Sequence, residues 1–181
     1  MVEELVERIR QKDQRAMSEL YTMYVKQLSS VCYRYVPDEN DAKDVLQNSL
    51  VRIFTTLPTI DYQGEEVFWG WMKKVVIHEA LCYLRERKKL LFVELDETSQ
   101  QLSNEDEEPQ AERLSPEELH KLISELPDGY RTVVNLFVFE GYSHRQIASL
   151  LNIKESTSAS QLYYAKRLLA KKIKELTNGK R

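Results

Sequence analysis

The sequence predicts an all-α protein: two small helical domains joined by an acidic flexible linker, the second domain containing a helix-turn-helix. Three observations carry this reading. Apolar residues recur at three- and four-residue steps through most of the chain, and only 5 Gly and 5 Pro stand among its 181 residues to interrupt helices. Residues 93–114, VELDETSQQLSNEDEEPQAERL, lose that periodicity and are dominated by acids and amides. Helix-start signatures recur on both sides of that stretch. The boundaries are therefore drawn at 1–92, 93–114 and 115–181, two ordinary small domains around a tether.

In the first domain, Asp13 is placed to cap a long helix to about Tyr35, with Ala16, Leu20, Tyr24, Leu28 and Val31 facing inward. Pro37 stops it. Asp38 or Asn40 then caps a helix to about Leu57, whose inner face reads as Ala42, Val45, Leu46, Leu50, Ile53, Phe54 and Leu57. A loop from Pro58 to Gly64 leads into a third helix from about Glu65 to Lys88. In the second domain, Ser115-Pro116-Glu117-Glu118 combines a cap, a proline at the first helical position and the glutamate of a capping box. Pro127 opens a helix through Val133, Leu136 and Phe137 that ends at Gly141. Ser143 and Gln146 make a second capping box, and Asn152 suits a left-handed turn. A last helix turns Leu162, Ala165, Leu169, Ile173 and Leu176 inward.

Composition narrows the function classes. No apolar run approaches the roughly 18 residues of a membrane span, and the acidic start MVEELVERIR is unlike a secretory signal, so a cytoplasmic protein without membrane insertion is expected. Cys32 and Cys82 stand far apart in apolar helical stretches, and His78, His120 and His144 are scattered, so neither a metal site nor a cofactor is expected. Nothing forms a phosphate loop, a nucleophile triad or a zinc-protease helix, and no catalytic residues are expected. The formal charge of -3 conceals a division: residues 94–118 carry -9, residues 119–181 carry +6, and the rest are neutral. A basic C-terminal domain suits phosphate contact, and the acidic stretch repels it.

The helices Ser143–Leu151 and about Glu155–Leu176, joined by a tight turn, read as a helix-turn-helix whose second member enters a DNA groove. Ser156, Thr157, Ser160 and Gln161 lie at its N-terminal end, where base edges are reached. Tyr164, Arg167, Lys171 and Lys174 continue the outward stripe, with Tyr163 and Lys166 beside them. On these residues alone, a polymerase-independent repressor or regulator with a helical dimerisation domain, and a helical adaptor that binds only proteins, remain open.

Four segments resemble the sigma factors of bacterial RNA polymerase, in that family's order and spacing. They are MSELYTMYVKQL, DAKDVLQNSLVRIF, FWGWMKKVVIHEALCYLR and the stretch from Leu126 to Ile173. Two domains without a large extra middle domain resemble the extracytoplasmic-function group. The resemblance implies a non-enzymatic initiation factor that binds core RNA polymerase and promoter DNA, under a membrane-linked anti-sigma factor.

DAKDVLQNSLVRIF resembles the segment that grips the polymerase clamp helices, and its periodicity puts Asp41, Asp44, Asn48 and Val51 on one outward stripe with Gln47 beside it. Val51 is an apolar residue on a polar face. The resemblance assigns the minus-ten element, double-stranded and then melted, to Tyr62, Trp69, Lys73, Lys74, His78, Arg85 and Lys88. Trp71 reads as core, in step with Phe68, Met72 and Val75, and Trp69, about a hundred degrees round the helix, as the better stacking candidate, open equally to packing and to DNA contact. The minus-thirty-five element falls to Ser156, Thr157, Ser160, Gln161, Tyr163, Tyr164, Lys166 and Arg167. Departures from the family pattern are His78 for a usual Asn, Cys82 for a common Asp, and Ala159 and Tyr164 where many members carry basic residues. The acidic stretch is expected either to space the domains or to mimic nucleic acid in the RNA-exit path.

Overall fold

The computed structural model describes residues 1–87 and 114–179, with the side chains of the last helix described to residue 177. Every regular element among the described residues is helical. They fall into two compact units, within Met1–Arg87 and within Lys88–Arg181. Of the acidic stretch 93–114, only Leu114 is described, so its role as a linker and its place in the exit path lie outside the described residues, as does Lys88.

The first unit contains α1 (Val2–Arg10), α2 (Gln14–Tyr35), α3 (Glu39–Thr56), a single 3₁₀ turn (Leu57–Thr59) and α4 (Glu65–Glu86). The periodicity of 1–92 placed three of these; α1 is the fourth, held by Val2, Leu5, Val6 and Ile9, all buried. Lys12 takes a left-handed φ of 63° between α1 and α2, and the Asp13 N–H donates to Arg8 O at 3.0 Å. Asp13 then caps α2, its carboxylate accepting from Arg15 N at 2.8 Å and Ala16 N at 3.4 Å. Ala16, Leu20, Tyr24, Leu28, Val31, Cys32 and Tyr35 form the buried stripe of α2, against which α1, α3 and α4 all pack. Burial pushes the Cys32 thiol up to about 12.

The Arg8 guanidinium beside Asp13, at 2.8 Å, holds that carboxyl below the ordinary range, reinforced by the backbone N–H groups it caps. A lowered folded-state value stabilises the fold above the unfolded carboxyl pKa, and the contribution disappears as pH falls through the folded value. Asp13→Asn keeps a capping oxygen but not the charge. Thermal melts from pH 5 downward should therefore show a shallower acid loss for Asp13→Asn than for the parent chain, starting below about pH 4.

Asp38 caps α3, accepting from Asn40 N and Asp41 N. The buried face of α3 differs from its apolar pattern: Ala42, Val45, Ser49, Ile53 and then Leu57 are buried, whereas Leu46, Leu50 and Phe54 are half-buried. The cause is close packing. Ala42 and Ser49 are small enough for near approach to α2 and α4, and the Ser49 hydroxyl is satisfied locally by donating to Val45 O at 2.7 Å.

The second unit contains α5 (Pro116–Ser124), α6 (Asp128–Val134), a π-helical turn (Asn135–Phe139), α7 (His144–Leu151) and α8 (Glu155–Gly179). Both expected capping boxes form, Ser115 with Glu118 and Ser143 with Gln146. α8 is the spine against which α5, α6 and α7 pack, through buried Leu162, Ala165, Leu169 and Ile173. Leu176, expected inward, is exposed at the helix end. Phe137, on the helix that Pro127 opens, is exposed as well. The π turn, marked by Glu140 N donating to Asn135 O at 3.1 Å, inserts a residue into the helical register. Leu136 stays buried, and Phe137, Val138 and Phe139 rotate outward.

Candidate nucleic-acid interface

α7 and α8 meet through a turn in which Asn152 adopts φ 56°, ψ 49°, and the Ile153 N–H donates to Ala148 O at 3.0 Å. His144 braces the junction: its Nδ1 lies 3.0 Å from the Ser158 hydroxyl, and its ring stacks on Phe137 at 4.6 Å. This is a helix-turn-helix, and it fixes which side of α8 faces outward.

That side contains Ser156, Tyr163 and Lys166, all exposed, with Ser160, Tyr164 and Arg167 half-buried at its edges. The Arg167 guanidinium lies over the Tyr163 ring, 5.6 Å from its centroid, and donates to the Tyr163 hydroxyl at 3.2 Å. Thr157 and Gln161 do not belong to it. They are 8% and 2% exposed, buried like their neighbour Ser158, whose hydroxyl meets His144 of α7, so neither presents its side chain to that side. Their placement at base edges is corrected accordingly. Alanine at Ser156, Tyr163, Lys166 or Arg167 should weaken DNA binding with the melting temperature nearly unchanged. Alanine at Thr157 or Gln161 should lower the melting temperature first. Lys166→Ala should also reduce the salt slope of DNA affinity by about one, read by fluorescence anisotropy at several salt concentrations.

On α4 the candidate residues divide between two sides. Phe68, Met72, Val76, Ala80 and Leu84 are buried, and Ile77 and Leu81 widen the buried face. The opposite stripe is Val67, Lys74, His78 and Arg85, all exposed, in step with half-buried Trp71. Trp71 and Val75 are thus not core, as their spacing from Phe68 suggested; Trp71 rests on Phe68 at 5.7 Å and borders the cationic stripe. Trp69 turns the other way. Its ring stacks on Tyr24 at 6.1 Å and 13°, and Lys73, half-buried, follows it round that flank. Tyr24 also donates to Glu65 at 3.2 Å, and burial, with Glu65 nearby, pushes its hydroxyl up to about 12. Tyr62, on the loop before α4, is half-buried against Phe68 at 5.8 Å. His78 Nδ1 lies 3.7 Å from Cys82 Sγ and 3.8 Å from a Glu79 carboxylate oxygen, to which Arg52 of α3 is also bound.

Asp44, Gln47, Asn48 and Val51 are exposed on α3, Val51 by 59%. Asp41 stands apart from them. It is half-buried beside the Tyr83 hydroxyl of α4, which burial, and then the Asp41 carboxylate, push up to about 12. Pattern reasoning missed Arg131, 4% exposed in α6, because a charged residue in a short helix reads as surface.

A helix-turn-helix in one unit and a stripe of cations and aromatics in the other suit nucleic-acid contact. The comparisons make this specific. Residues 20–90 match the family model for sigma-70 region 2, and residues 116–169 match the model for sigma-70 region 4. The ECF RNA polymerase sigma-E factor of Haemophilus influenzae is 27% identical, with 95% of each chain covered. The RNA polymerase sigma-H factor of Pseudomonas aeruginosa is 26% identical over 96% of this chain and 94% of that one. The RNA polymerase sigma factor SigV of Bacillus subtilis is 28% identical over 77% and 80%. In fold, the chain resembles RpoE solved with the anti-sigma factor NepR from Bartonella quintana. The TM-score is 0.51 at 16% identity, covering 87% of this chain and 96% of that one. The chain belongs to the sigma-70 family, in its extracytoplasmic-function group, a family of non-enzymatic transcription initiation factors. No helix among the described residues is long and apolar enough to cross a membrane.

Proposed function

We propose that the first unit binds core RNA polymerase and the melted minus-ten element, and that the second reads the minus-thirty-five element in the major groove. The observation that carries this is the order of two region models along one chain, residues 20–90 and then 116–169. Asp44, Gln47, Asn48 and Val51 form the polymerase-facing side of α3, with Asp41 at its edge. Carboxylates and amides there suit basic partner helices, and Val51 supplies a desolvated apolar centre.

Tyr62, Lys74, His78 and Arg85 line the minus-ten path, with Trp71 beside them and Trp69 and Lys73 on its far flank. An extruded base needs a stacking surface and the backbone needs cations, and both occur on this side of α4. Ser156, Ser160, Tyr163, Tyr164, Lys166 and Arg167 serve the minus-thirty-five element. The initiation complex is cytoplasmic in this reading, and a membrane-linked anti-sigma factor covers the polymerase-binding faces until a signal arrives.

The test is direct: the purified chain is mixed with sigma-free core polymerase and assayed for promoter-directed transcription on a genomic promoter library. Start sites absent from core alone support the reading. Tight DNA binding without core, and no stable core complex, would favour the repressor alternative.

A further inference from the structure

The loop that carries Tyr62 is held by α1, and the bond that holds it crosses 50 residues of sequence. Arg10, in the last turn of α1, donates from Nη2 to the Ile60 carbonyl oxygen at 2.6 Å. Its Nη1 is bound to Glu7 at 2.9 Å. Both faces of the guanidinium fork are thereby directed at protein, with its charge set against a carboxylate, which makes Arg10 a poor phosphate contact and a good clasp. α1 can bear the load, because Val2, Leu5, Val6 and Ile9 are buried and Leu57, at the root of the loop, is 0% exposed.

Between Ile60 and Gly64 the chain is neither helix nor strand, so its shape depends on such side-chain ties. Beyond the clasp, Tyr62 leans on Phe68 at 5.8 Å, and Gln63 donates to Asp61 at 3.3 Å. Gly64 ends the loop at φ +102°, a conformation that other residues rarely adopt. The Arg10 bond lies two residues from Tyr62, on the side of the loop opposite Gly64.

We propose that Arg10 is a positioning residue for base capture: by holding the Ile60 carbonyl it sets the loop shape in which Tyr62 meets an extruded base of the melted strand. The proposal rests on the reading of this loop as a minus-ten contact. It assigns α1 a part in promoter specificity without DNA contact. The plainer alternative is that Arg10 only fastens α1 to the unit, which would affect stability and not base choice.

The full chain in complex with core polymerase is selected against DNA duplexes carrying an unpaired bubble of six randomised nucleotides, and the enriched bases are sequenced. Tyr62→Ala should flatten the preference at one position. Arg10→Ala should lower the enrichment at that same position by roughly three- to ten-fold, the worth of one ordinary hydrogen bond. Arg10→Lys should recover part of it, and Arg10→Ala should add nothing in the Tyr62→Ala background. Lys74→Ala should reduce total capture while leaving base preference intact. Melting temperature and amide exchange at residues 61–63 are measured alongside, and the clasp predicts faster exchange in Arg10→Ala at near-parental melting temperature.

If Tyr62→Ala flattens a position that Arg10→Ala leaves sharp, or if Arg10→Ala reduces capture equally at all positions, the positioning role is wrong and the minus-ten reading stands. If Tyr62→Ala changes no preference, the minus-ten reading of the loop fails. Unchanged exchange at residues 61–63 in Arg10→Ala overturns the clasp independently of DNA.

Discussion

Arg131→Ala is expected to destabilise the second unit by about 3–5 kcal/mol, a large share of the roughly 5–15 kcal/mol that holds a domain folded. Arg131 is 4% exposed, and it links three pieces of chain. Its Nη1 donates to Leu126 O at 2.7 Å and to Ser124 O at 3.3 Å, and its Nη2 is paired with Asp128. Ser124 is the last residue of α5, so the cation sits at the carbonyl end of one helix while belonging to the first turns of the next. Removing the guanidinium leaves the buried Leu126 carbonyl without this donor and an acid without its cation, and each loss costs more than an exposed ion pair would gain. Arg131→Lys keeps the charge but not the fork and should recover about half of the loss. Urea unfolding followed by far-UV circular dichroism measures both variants, and a loss below about 1 kcal/mol for Arg131→Ala would contradict the structural role given to this residue.

Arg131 also shows where the sequence stops being readable. The caps were legible because their chemistry is local: Asp13, Asp38, Ser115 and Ser143 each bond to N–H groups two or three residues on. The helices themselves followed from apolar spacing. Orientation at close contacts did not, because polarity is a weak guide where helices nearly touch. Ser49, Thr157 and Gln161 are buried although polar, and Leu46 and Leu50 are left half-buried. A π turn shifts register by a residue, and no apolar period read from the sequence anticipates it at Asn135–Phe139. The same limit divided the candidate site: Trp71, which its spacing from Phe68 put in the core, is half-buried beside the cationic stripe, and Trp69 packs on Tyr24 of α2. A tie such as Arg10 to Ile60 spans too much sequence for any local pattern to report it.

Val51→Lys combined with Asp44→Lys is expected to weaken core-polymerase binding by more than a hundredfold, roughly 3 kcal/mol or more, while leaving the fold intact. The two positions differ in what they test. Val51 is 59% exposed, projecting from the middle of an acid-and-amide face, and a lysine there introduces a charge that a close apolar contact cannot solvate. Most of its effect should appear in the dissociation rate. Asp44→Lys reverses a charge that would meet a basic partner, so it should slow association and make binding less sensitive to salt. Neither side chain supports the helix: the buried face of α3 is Ala42, Val45, Ser49 and Ile53, and Arg52 fixes the helix to α4 through Glu79. Stability should therefore change by no more than about 0.5 kcal/mol. Titrating labelled protein with core polymerase at two salt concentrations, beside thermal melts, measures both expectations. Unchanged core affinity would remove α3 from the interface, since an exposed valine on that face has no other work in the fold.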